Sequence, residues 1–143
     1  MNEPVAFTDA DIAWAFPSVD PGAKPLGGRI LVQLRRTKRK TTDAGIILVE
    51  ETKETEKWNN MVAKVVEIGP LAFRHRDTMQ PWPEGSWCNE GDYIRVPKWG
   101  GDRWEVPVPG EDRLEEKALF AIFNDHEVIA KVTCDPLEMK AFV

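Results

Sequence analysis

For histidine- or thiol-based chemistry the chain offers two histidines and two cysteines. His75 lies beside Arg76 and Asp77, and His126 lies between Asp125 and Glu127. Neither spacing places two ligands on one helix face or sets a nucleophile, a base and an orienting acid in order. Both histidines therefore read as solvated loop or turn residues. Cys88 and Cys134 are far apart, and two thiols alone make neither a disulfide framework nor a zinc site. They read as free thiols in a reducing compartment. The glycine pairs Gly27, Gly28 and Gly100, Gly101 lack the Lys-Ser/Thr and the following helix that cradle a phosphate chain. The expectation is no catalytic residue, no metal and no cofactor: a protein that is not an enzyme.

Binding chemistry has two candidates. The first is aromatic. Trp82, Trp87, Trp99 and Trp104 are interleaved with Arg74, Arg76, Lys98 and Arg103, a composition that can stack unpaired bases. The alternative is aromatic packing on strand faces and in loops with cation–π contacts. The net charge of -5 favours packing and an expectation of no nucleic-acid partner. The second candidate is aliphatic. Gly45, Ile46, Ile47 and Leu48 stand in a polar stretch, 36–60, that is basic at its start (Arg36, Lys38, Arg39, Lys40) and mostly acidic after the patch (Glu50, Glu51, Glu54, Glu56). A segment so polar cannot bury enough surface to order itself. Its aliphatics are either a third short strand in the core or a linear motif that docks in a partner's groove. Local composition leaves both open.

The elements that must position these residues read as β-structure. Residues 29–35 alternate Ile30, Val32 and Leu34 on one face, and residues 61–68 are rich in β-branched side chains. Residues 92–96 and 103–106 read as short strands of a hairpin around Trp99, Gly100, Gly101 and Asp102. Residues 118–123 and 128–132 are strand-like about a turn at Asn124, Asp125, His126 and Glu127. Ahead of all this, residues 1–27 read as an arm. Thr8 or Asp9 caps a short helix that Pro17 ends, and Pro21, Gly22 and Pro25 punctuate the rest. Ala13, Trp14 and Phe16 either pack back on their own domain or reach a neighbouring subunit. Short strands between Gly/Pro turns imply a small all-β barrel or sandwich. No apolar run approaches bilayer length, and the N-terminus lacks a basic, apolar leader. The expectation is a cytoplasmic protein with no membrane partner.

In order along the chain, the motifs resemble the GroES-type co-chaperonin (chaperonin-10) family. Pro25, Leu26 and Arg29–Ile30–Leu31–Val32 resemble its first strand. Thr42, Asp43, Ala44, Gly45, Ile46, Ile47 and Leu48 resemble its mobile-loop motif, and 63–69 the strand that follows, ending at Gly69. Glu90, Gly91, Asp92 and 93–96 resemble the Gly-Asp-strand element, and 119–123 with 128–132 the C-terminal pair. The resemblance implies an irregular GroES-like β-barrel over 28–143, with 36–60 as a flexible mobile loop and 71–90 as a roof-like insert. It implies a homo-heptamer that caps a GroEL-type chaperonin ring and assists ATP-dependent protein folding, with no cofactor of its own. Gly45, Ile46, Ile47 and Leu48 would be the chaperonin-binding residues, and first- and last-strand regions of adjacent subunits would close the ring. The arm, the long 71–89 segment and the 99–110 excursion depart from the short family members. The alternative they leave is a virus-encoded structural protein, capsid-decorating or assembly-related, that reuses the barrel in a host cytoplasm.

Overall fold

The structure, a computed structural model, describes residues 9–36, 40–41, 47–48, 61–109 and 117–137. It begins with α1, Asp9–Ala15. The Phe16 amide still bonds to Ile12 O at 2.9 Å, and Pro17, which has no N–H to donate, ends the helix. The strands are β1 (Arg29–Leu34), β2 (Lys40–Thr41), β3 (Ile47–Leu48), β4 (Val62–Ile68), β5 (Tyr93–Arg95), β6 (Asp102–Val106), β7 (Ala118–Asn124) and β8 (Ala130–Lys131). Six of them form one antiparallel sheet in the order β6-β7-β1-β4-β5-β8, while β2 and β3 pair only with each other. The fold is all-β, as expected.

β1 lies inside the sheet and, like β7 beside it, is buried on both faces. Ile30, Val32 and Leu34 enter the main core with Ala63, Val65, Ile94, Leu119, Ala121 and Phe123. Leu31 points the other way, into a second cluster with Ala118 and Phe120 that half-buried Trp104, Val106 and Val19 cover. Leu31 is opposite Glu67 and Val32 is opposite Val65, so Val66 is an extra residue that bulges β4. The bulge sharpens the local twist and helps the sheet curl over its core.

Three expectations change. The hairpin of 92–96 with 103–106 does not form. β5 already has β4 on one edge and β8 on the other, so no edge is left for β6, which pairs with β7. Pro97 breaks the ladder, and Gly100 and Gly101, both at positive φ, turn the chain away. Trp104 then stacks on Phe120 with ring centroids 6.0 Å apart. Second, β1 lies inside the sheet, so the first strand is no free edge for ring closure; the edges are β6 and β8. Third, the last strand is shorter than 128–132, although Ile129 N–H to Arg95 O (3.0 Å) and Val132 N–H to Tyr93 O (2.8 Å) continue its bonding. Between β7 and β8 a 3-10 turn, Asp125–Glu127, forms at the expected turn.

The segment 71–90 is in large part a cover on the core. Phe73 and Cys88 are fully buried, and Phe73, Trp82 and Trp87 pack ring on ring with centroids 4.8–6.2 Å apart. Phe73 holds φ at +61°, a conformation that costs a bulky residue on the order of 1–3 kcal/mol. Its ring burial and its amide's 2.9 Å bond to buried Asp125 Oδ2 keep it there. The second Asp125 oxygen accepts the His126 amide at 2.8 Å, and the Asp125 amide donates to Gly28 O at 2.9 Å. Through its carboxylate and its amide, Asp125 thus ties the insert to the end of β7 and the start of β1.

Candidate functional site

The polar segment that carries the aliphatic patch leaves the sheet at the end of β1 and rejoins it at β4. Its root is tightly held. The Arg35 amide donates to Val62 O at 3.0 Å and the Arg36 amide to Ala15 O at 3.0 Å. The Arg36 Nε donates to Trp14 O at 2.8 Å, and its guanidinium lies 4.3 Å from the Trp14 ring centroid. Arg35 Nη1 donates to Pro136 O at 2.6 Å. Both arginines are buried. Burial, and then the like charge of Arg95, pulls the Arg35 guanidinium below the usual arginine range. Such a group stays charged at any physiological pH, so its bond to a carbonyl is a charge-assisted one. On the return side, Val96 N–H bonds to Met61 O at 2.9 Å.

The arm supplies half of this root. Ala15 and Phe16 are buried against Val62 with Ile12, Trp14, Tyr93 and Leu137 around them, and Phe16 meets Tyr93 at 5.2 Å between centroids. Gln33 Nε2 donates to Pro17 O at 2.7 Å and Trp104 Nε1 to Pro21 O at 2.7 Å. Of the two alternatives for the arm, packing on its own domain is the one seen.

Of the candidate binding residues, Gly45 and Ile46 lie outside the described residues. Ile47 and Leu48 form β3, opposite Thr41 and Lys40 of β2. This two-stranded ladder is separate from the six-stranded sheet.

Among the described residues the histidines join no catalytic constellation. His75 and His126 are exposed. His126 Nδ1 is 3.5 Å from Asp125 Oδ1, but both carboxylate oxygens are already held by backbone amides. Among the described residues no three His, Cys, Asp or Glu side chains group as a metal site, and no helix is long and apolar enough to cross a membrane. The tryptophans share no platform: Trp82 and Trp87 pack on Phe73, Trp104 on Phe120, and Trp99 stands exposed beside Lys98.

The two thiols differ sharply. Cys88 is buried, and burial, followed by the charge of Asp92, pushes its pKa up to about 11 against a smaller opposing pull from Lys131. Cys134 is exposed. Since the thiolate is the nucleophile, one equivalent of iodoacetamide is expected to react with the native chain at pH 8, at Cys134, and a second only after denaturation. Mass spectrometry of the labelled peptides checks this; rapid native labelling of Cys88 would contradict it. The raised pKa also has a sign for stability. The unfolded chain loses this proton first, so Cys88 favours folding below about pH 9 and that contribution falls away toward pH 11.

The described residues form an all-β fold in which the polar segment that carries the aliphatic patch departs from a clamped root. The Cpn10 family (chaperonin 10 Kd subunit) matches residues 22–132, and the chain belongs to that family. Two similar proteins are the co-chaperonins GroES of Aquifex aeolicus (strain VF5) and of Syntrophomonas wolfei subsp. wolfei (strain DSM 2245B / Goettingen). The first is 27% identical over 109 residues, 76% of this chain and 75% of the relative. The second is 25% identical over 109 residues, 76% of this chain and 96% of the relative. The family match starts after α1, so the helix that holds Arg36 stands outside it.

The root itself was not singled out from the sequence. Arg35 and Arg36 belong to a basic run, and only their burial separates them from it. Trp14 was visible as an aromatic on a polar arm, without its partner.

Proposed function

We propose that the chain is the subunit of a co-chaperonin ring that caps a GroEL-type chaperonin and assists ATP-dependent protein folding. The docking element is Gly45, Ile46, Ile47 and Leu48. The observation that carries this reading is the separation of β3 from the six-stranded sheet. Had the patch been a third core strand, it would extend that sheet. Instead Ile47 and Leu48 sit on their own ladder, beyond a root pinned by Arg35 and Arg36.

The energetics suit a cap that must also come off. Burying an aliphatic side chain contributes roughly 1.5–3 kcal/mol, and ordering a docking segment takes back about 2–5 kcal/mol. One loop is then a weak ligand. A homo-heptamer multiplies it through effective concentration. The β8 edge, with Ile129 exposed beside it, is the available surface for ring closure, and Leu26 is exposed on the segment before β1. The names of both relatives favour this reading over a shell-decorating role.

The test is native mass measurement together with capture by an immobilised GroEL-type chaperonin, with and without ATP. A ring of seven that is retained only with nucleotide is the expected result. A monomer that is never retained would sink the reading.

A further inference from the structure

A pocket of about 240 Å³ opens at the end of β1 opposite the loop root, between β1, the end of β7 and the 71–79 segment. Arg29, Arg74, His75 and Arg76 line it, over Gly28, Asn124 and Asp125. The pocket is smaller than the usual range for drug-sized ligands, about 300–1,000 Å³, and suits a compact ion or a small ester.

Its charge is uneven. Three arginines and one carboxylate line the pocket, and both oxygens of that carboxylate already hold backbone amides: Asp125 accepts the Phe73 amide at 2.9 Å and the His126 amide at 2.8 Å. Arg74 Nη1 is fixed by a 2.9 Å bond to Met79 O, which leaves the rest of its donors unassigned. Among the described residues, the side chains of Arg29 and Arg76 have no hydrogen-bond or ion-pair partner. Like charges that converge on a concavity repel one another unless an anion lies between them. Arginine's planar fork matches phosphate oxygens two at a time. Two uncompensated positive charges also match the dianion of a phosphomonoester or of inorganic phosphate. Nothing in the loop-docking reading uses these residues.

We infer that this pocket is a phosphoryl-binding site, in which Arg29, Arg74 and Arg76 hold the oxyanion. The ligand is either free inorganic phosphate or the phosphate of a small ester.

The full-length chain is titrated calorimetrically at low ionic strength, in a buffer free of phosphate, with inorganic phosphate in one arm and ribose 5-phosphate in the other. One saturable site per chain is expected, weakened tenfold or more in Arg29→Ala/Arg76→Ala. The control Lys24→Ala/Lys98→Ala removes the same charge away from the pocket and should bind as the parent does. Arg29 and Arg76 are exposed, so unchanged thermal midpoints will show that both variants fold. Equal affinity for the two ligands would mean that the site holds the phosphoryl group from either source. Tighter binding of ribose 5-phosphate would mean that the natural ligand is an ester. Both results support the site. No saturable binding at millimolar ligand, equal weakening in the control, or tighter binding of citrate than of either phosphate would overturn it.

Discussion

Ile47→Asp should abolish capture of a chaperonin ring while leaving the chain folded and its oligomeric state unchanged. The loss has two parts. The variant gives up the burial of a large aliphatic side chain, worth roughly 1.5–3 kcal/mol. It also asks a carboxylate to enter an apolar groove, which costs further free energy unless the groove offers a partner. Each loop is therefore weakened by at least one to two orders of magnitude, since about 1.4 kcal/mol is tenfold. In a ring the loops act together, so the loss compounds and retention should fall below detection. Stability should not change much, because β3 pairs only with β2 and adds no strand to the six-stranded sheet. The readouts are capture by immobilised chaperonin in the presence of ATP, circular dichroism and native mass. Capture at the parental level would remove the patch from the interface.

Gly69→Ala should be strongly destabilising, because its added methyl group meets main chain closer than at any other described glycine. Gly69 ends β4, and its amide bonds to Arg29 O at 2.8 Å. Just beyond it, Leu71 N–H bonds to Gly27 O at 3.0 Å. The backbone of 27–29 and that of 69–71 therefore touch directly. A Cβ at position 69 would lie 2.6 Å from Arg29 O and closer still to Gly27 O. Both obstacles are main chain in the central strand and its lead-in, so neither can swing aside as a side chain would. The strain should cost about 3 kcal/mol or more, at the upper end of overpacking effects. For a chain of this size that is a fall of roughly 10 °C in thermal midpoint. A variant within two degrees of the parent would mean that the 27–29 and 69–71 segments part easily.

How far the sequence discloses this architecture depends on whether an element is specified locally. β1 was legible because an apolar run from Ile30 to Leu34 has few other fates in so polar a chain. β4 was legible for the same reason, and Gly69 marked its end. The pairing of β6 was not legible. Residues 92–106 look like a hairpin locally, but the edge that β6 would need is taken by β8, from more than thirty residues downstream. Phe73 was hidden by its neighbours, since Arg74, His75 and Arg76 suggest an exposed loop. Only the remote Asp125 carboxylate and the Trp82 and Trp87 rings show why it turns inward. The aliphatic patch was visible as a motif, and the root that holds its segment was not. Trp14 and Arg36 meet across 22 positions of sequence through a helix with no strong period of its own. The arginine pocket is likewise a product of tertiary structure, drawn from the start of β1 and from a segment that begins after β4.

The pinned root limits how far the patch can stand from the sheet. A peptide chain spans at most about 3.3–3.6 Å per residue, so Ile46 lies within roughly 35 Å of Arg36 by any path. Leu48 lies within roughly 45 Å of Met61 by the same limit. The patch is confined to the overlap of two spheres whose centres are fixed by Ala15, Trp14 and Val62 on one side and by Val96 on the other. That confinement sets a capture radius. If the patch docks as proposed, a groove beyond that reach cannot meet it. On that reading, loosening the arm would extend this reach without altering any residue proposed to touch the partner.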